Sequence, residues 1–160
     1  MKSLTAKGKT KDAPAQAGLF SAPAESFIGI GTSNKPIEKY IQELKDANIR
    51  VVVDVRGAPF SRFYPQFNRD SLRQSLKQAG INYVWLGDSL GNPKDAQGQR
   101  SLEGFRDYMK TDDYKRGLAE LENVMDENED SIAITCAEGA ESECHRKFIL
   151  EDLRKRRGKE

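Results

Sequence analysis

Apolar positions along this chain switch repeatedly between a continuous pattern and a helical one. FIGIGTS at 27–33 is a short apolar run ending in glycine and hydroxyl residues, which predicts a strand running into a loop. Ile37, Tyr40, Ile41 and Leu44 then recur at i, i+3, i+4 and i+7, the stripe of an amphipathic helix. Ser33 or Asn34 is expected as its N-cap, with Pro36 in its first turn. RVVVDVRG at 50–57 is continuous and β-branched, as in a strand covered on both faces. The loop GAPFSRFYPQF carries two prolines and four aromatics and leads into a helix with Asn68 as its expected cap and Leu72 and Leu76 as its apolar positions. INYVWLGDSLG at 81–91 supplies a third strand, followed by the polar stretch NPKDAQGQR and helical segments over about 104–126. SIAITCAE at 131–138 reads as a fourth buried strand. A closing helix from about Ser142 to Arg157 places Phe148, Ile149 and Leu153 inward.

Strand and helix alternate throughout, which predicts an α/β domain over 26–160. Its core is a mainly parallel, Rossmann-like sheet of about four or five strands with helices on both faces. Residues 1–25 show no apolar period and are rich in Ala, Lys, Gly, Ser and Pro, so a flexible tail is expected there.

Charge changes this picture little. The 26 basic and 25 acidic side chains nearly cancel, so anion recognition has to be local. No apolar run approaches the roughly 20 residues that span a bilayer, and the N-terminus has no signal-like apolar core. Two cysteines do not make a disulfide scaffold, and the reading is a cytoplasmic protein with reduced thiols.

Open α/β sheets bind ligands beyond the carboxyl ends of their strands, and the polar residues cluster there. Thr32 follows the first strand, and Asp54 and Arg56 close the second, two apart and so on one face. The loop beyond brings Arg62 and Asn68. The fourth strand ends at Cys136 and Glu138, and the segment CAEGAESECHR holds both cysteines and the sole histidine. With Ser142 as N-cap, Cys144, His145 and Arg146 would lie in the first helical turn, where unpaired N–H groups favour thiolates and anions. Thiol phosphatases and sulfur-transfer domains share this plan, but ten positions between Cys136 and Arg146 exceed their tight phosphate cradle. Adjacent Cys144 and His145 would point about 100° apart on a helix. No metal site is therefore expected, and no cofactor is identified. The bland alternatives are core packing for Cys136 and an internal ion pair for Asp54 and Arg56.

Taken together, GTSN before the proline-started helix, VVVDVRGAPFSRFYPQFN, INYVWLGDSLG, YMKT and CAEGAESECHR resemble the DUF488 family over roughly 27–157. That resemblance implies a Rossmann-like α/β domain with Asp54, Arg56, Arg62, Asn68, Cys136, Glu138, Cys144, His145 and Arg146 at the family's characteristic positions, and it brings no established reaction. In the tail, Gln16-Ala17-Gly18-Leu19-Phe20 is similar to the pentapeptide by which bacterial replication and repair proteins hold the sliding clamp. Gln16, Leu19 and Phe20 would make that contact.

The function expected from these residues is binding or processing of an anionic substrate, a nucleotide or nucleic-acid end. Arg56, Arg62, Arg146, Thr32 and Asn68 would hold the anion. Cys136 or Cys144 would serve as nucleophile, His145 as its proton partner, and Asp54 or Glu138 as general acid or base. The rival readings are a non-catalytic DNA-maintenance module tethered to the clamp, and a sulfur-transfer or redox thiol protein.

Overall fold

A computed structural model of the chain describes residues 27–137 and 144–158. The tail with Gln16, Leu19 and Phe20 lies outside the described residues, as does Glu138. Strands β1 (Phe27–Gly31), β2 (Val51–Asp54), β3 (Asn82–Trp85) and β4 (Ile132–Cys136) form an all-parallel sheet in the order β1-β4-β2-β3. Asp54 is in register with Thr135 on one side and Trp85 on the other, and Gly31 with Cys136, so the carboxyl ends of the strands share one rim.

Alternation along the strands sorts the core into two layers. Val51, Val53, Val55, Ile132, Ile134 and Cys136 face the layer built with α4 (Leu102–Tyr108), α5 (Asp112–Glu127) and α6 (Arg146–Arg156). Val52 and Ala133 face the other layer, with α1 (Ile37–Asp46), a 3-10 turn at Pro65–Phe67 and α2 (Arg69–Gln78). A short α3 (Gly87–Leu90) follows β3. Helices on both faces of a parallel sheet are the architecture that the periodicity predicts. No helix among the described residues is long and apolar enough to cross a membrane.

The layering also sets where a ligand can enter. The chains leaving β1 and β2 run to helices on one face, while the chain leaving β4, which lies between them, runs to α6 on the other. Such divergence of neighbouring chains opens a crevice at the rim.

Three helix starts differ from expectation. α1 is preceded by Pro36 with no capping side chain, because the Thr32 and Ser33 amides extend the ladder instead, donating to the Cys136 and Ala137 carbonyls at 2.9 and 2.8 Å. Asn68 does stand at the N-cap position of α2, but its Oδ1 accepts from the Ser61 amide at 2.6 Å and so clasps the aromatic loop rather than the helix. α6 begins at Arg146 with His145 at its cap position, three residues beyond the expected Ser142.

Across the layers, Tyr40 Oη donates to Thr135 Oγ1 at 2.8 Å, and Thr135 Oγ1 in turn donates to the Ile30 carbonyl at 2.9 Å. Burial, the larger influence, raises the Tyr40 pKa and keeps the phenol neutral. Tyr40→Phe removes one donor and strands none, so it should cost about 1 kcal/mol in urea denaturation. A loss above about 3 kcal/mol would mean the hydroxyl does more than this single bond.

Candidate functional site

The end of β2 is an ion pair built inward. Asp54 is fully buried, and it accepts from Arg56 Nε at 2.9 Å, Arg56 Nη2 at 2.7 Å, the Arg56 amide at 3.1 Å and Tyr83 Oη at 2.6 Å. The two-residue spacing on a strand makes the pairing local, and Tyr83 on β3 adds the fourth bond. Burial alone would lower the Arg56 pKa, but the Asp54 carboxylate more than offsets this and the guanidinium is held charged. Trp85 Nε1 donates to the Arg56 carbonyl at 2.8 Å, while Arg69 stacks over the Trp85 ring at 4.4 Å. Arg56 is thus fixed at both its backbone and its head.

The end of β4 carries the sulfur cluster. Cys136 and Cys144 are bonded to each other as a disulfide, which corrects the expectation of reduced thiols. Helix α6 starts late enough to leave Cys144 and His145 ahead of its first turn, where they can fold back over the strand end. The His145 ring packs against Phe105, and its Nε2 lies 3.2 Å from the Val55 carbonyl. A carbonyl can only accept, so Nε2 carries the proton. Nδ1 then presents its lone pair, 3.8 Å from Cys136 Sγ and 3.7 Å from Cys144 Sγ. Burial is the main cause that pulls the imidazole pKa down to about 4, so the ring is neutral near pH 7.

Two cavities open at this rim, on either side of Arg56. The first, about 310 Å³, is lined by Arg56, Asn92, Arg100, Cys136, Cys144 and His145, with Leu102 and small residues between them. The second, about 460 Å³, is lined by Thr32, Ser33, Arg56, Phe60, Tyr64 and Phe67 among others. Phe60, Phe63 and Tyr64 are the large exposed apolar side chains of the described residues, at 74, 81 and 40 % exposure.

Several of the residues singled out in sequence converge here, though not all in the way expected. Cys136, Cys144, His145 and Arg56 meet around the first cavity, and Thr32 borders the second. Asp54 lies behind Arg56, its oxygens engaged by neighbours. Arg146 is buried at 2 % exposure and lines neither cavity. Arg62 is exposed and Asn68 is committed to Ser61, and neither borders these two cavities. Asn92 and Arg100 were missed. They bound the polar stretch after β3, and the one signal available was an arginine directly before Ser101, whose Oγ caps α4. The loop folds back so that Arg100 Nε donates to the Asn92 carbonyl at 2.9 Å.

Comparison with known proteins places the chain. No curated protein matches it. Its fold is similar to two crystal structures of a "putative phosphatase (DUF442)" from Shewanella putrefaciens CN-32. One is 17 % identical with a TM-score of 0.50, over 95 % of this chain and 78 % of that one. The other is 18 % identical with a TM-score of 0.47, over 84 % and 70 %. At these identities the likeness is one of fold. The family match is by sequence and extends over residues 36–153, which is most of the chain and holds β2, the cysteine pair and His145. The chain belongs to DUF488, a domain family of unknown function.

Proposed function

We propose that this domain binds the phosphate-bearing end of a nucleotide or nucleic-acid strand across the two rim cavities. The observation that carries the reading is the shared wall: Arg56 borders both cavities, with an arginine and the sulfur cluster on one side and exposed aromatics on the other. Arg56 and Arg100 supply charge for the phosphate. Phe60 and Tyr64 supply faces on which a base stacks, worth about 1–3 kcal/mol per base. Asp54 serves as the anchor that aims Arg56, engaging Nε and Nη2 and leaving Nη1 outside that pairing. Binding of this kind does not require the Cys136–Cys144 bond to open, whereas thiolate catalysis does.

Fluorescence anisotropy with a short labelled single strand, with and without a terminal phosphate, tests this reading. The phosphorylated strand should bind more tightly, and a nucleoside monophosphate should compete. Arg100→Ala changes an exposed side chain and should leave the fold intact. It should weaken binding about tenfold, the loss of one charge-assisted hydrogen bond. Equal affinity for both strands, or no effect of Arg100→Ala, would remove the proposal.

A further inference from the structure

We propose that, once the Cys136–Cys144 bond is reduced, Cys136, Cys144 and His145 form a zinc site whose fourth position opens into the first cavity. The donor set is two thiolates and one imidazole, and all three ligand atoms lie within 4.8 Å of one another. Around a tetrahedral zinc ion with ordinary Zn–S and Zn–N bonds, a sulfur and a nitrogen stand about 3.6 Å apart. The two Nδ1–Sγ distances here are 3.7 and 3.8 Å, so the imidazole already stands at a ligand edge from both sulfurs, which on reduction have to part from bonding distance to about 3.8 Å.

The surroundings agree with that geometry. Metal-bound histidines usually donate their other N–H to a carbonyl or carboxylate, which fixes the tautomer and aims the ring. His145 does this through Nε2 to the Val55 carbonyl, with Nδ1 facing the two sulfurs. Both cysteines are nearly fully buried, yet they and His145 line the first cavity beside Arg56, Asn92 and Arg100. Three protein ligands with an open, solvent-reachable position is the arrangement of zinc sites that bind a water or substrate. Soft thiolate donors favour zinc over magnesium, calcium or manganese. The expectation against joint ligation rested on Cys144 and His145 sharing a helix, and they precede it.

The chemistry balances with a small thiol as reductant. Two reductant thiols become one disulfide, their two electrons and two protons convert the Cys136–Cys144 bond into two cysteine thiols, and Zn²⁺ then displaces both protons. A small disulfide as oxidant reverses this: it takes the two thiolate electrons and two protons from solvent, leaves as two thiols and releases Zn²⁺ as the Cys136–Cys144 bond forms, so the same pair would alternate between a metal-holding and a bonded form. This inference concerns the metal alone and stands or falls separately from nucleotide binding.

The test is an anaerobic titration of the full-length protein with Co²⁺ as a spectroscopic probe, after chelator treatment, in reduced and oxidised forms. The reduced protein should take up one equivalent, with the visible bands of tetrahedral cobalt and thiolate charge transfer. Zn²⁺ should displace the cobalt, and about two protons should be released per metal. The oxidised protein should show none of these signals. Cys136→Ser should lower zinc affinity at least about hundredfold in competition with a chromophoric chelator, with circular dichroism to show that the variant is folded. Cobalt spectra without thiolate charge transfer, equal uptake by both redox forms, or no uptake by reduced protein at about 10 μM metal would each overturn the proposal. The comparison of redox forms uses unaltered protein, so the outcome does not depend on whether the variant folds.

Discussion

Asp54→Ala should destabilise the domain by about 3–5 kcal/mol, the largest loss expected from any single truncation at the rim. Removing one partner of a buried ion pair leaves the other charge without compensation, and the penalty is of that size. Here the deletion strips the acceptor from Arg56 Nε, Arg56 Nη2 and Tyr83 Oη together. The Arg56 side chain is only 10 % exposed, so water can replace little of what is lost. Urea denaturation of wild type, Asp54→Ala, Arg56→Ala and the double variant would measure it. The double variant should lose less than the sum of the singles, because without the guanidinium there is no stranded charge. A single-variant loss below about 1 kcal/mol would show that the carboxylate is not the anchor of this rim, and would return it to the candidate acids and bases.

Gly87→Ala should cost about 3 kcal/mol, near the upper end for overpacking. A Cβ at Gly87 would fall inside contact distance of the Arg56 carbonyl oxygen and Trp85 Nε1. Neither group is free to retreat, since those two atoms are hydrogen-bonded to each other at 2.8 Å. The added methyl therefore forces apart the bond that fixes the backbone of Arg56. If nucleotide binding uses Arg56 as proposed, affinity should fall with stability, by about tenfold when measured under conditions where the variant is folded. Gly57→Ala provides the contrast. Its Cβ would meet nothing nearer than the Gly87 carbonyl at 4.0 Å, and its stability should change by no more than about 0.5 kcal/mol. Equal losses for the two variants would mean that general strain in the loop, and not the contact between Gly87 and Arg56, limits this corner.

The rim was legible from local chemistry wherever a strand ran straight into polar residues. VVVDV followed by Arg56, and IAIT followed by Cys136, announce a buried strand and then a polar edge, because continuous β-branched runs read as strands covered on both faces. The roles at that edge were less legible. Asp54 and Arg56 share a strand face, yet their commitment as an anchor depends on Tyr83, 29 positions away and on another strand. His145 looked like a residue of the first helical turn. Its actual place depends on the Val55 carbonyl, 90 positions earlier, which holds the ring over the strand end before the helix begins. Arg100 sits in a polar stretch that has no period at all, and only the return of that loop toward Asn92 brings it to the cavity.

By itself, the sequence determined the kind and order of the four strands and the longer helices, the burial of β2 and β4, and the edge at which the candidate residues gather. These follow from periods of two and 3.6 residues and from the composition just beyond each strand, which are local properties. The order β1-β4-β2-β3 was decided only in three dimensions, and with it the placing of β4 between two strands whose chains leave by the opposite face. That placing divides the rim into two cavities, sets Arg56 between them and brings Cys144 and His145 back over Cys136. Contacts between segments so far apart depend on strand order, register and the point where a helix starts, and no local hydrophobic pattern encodes all three.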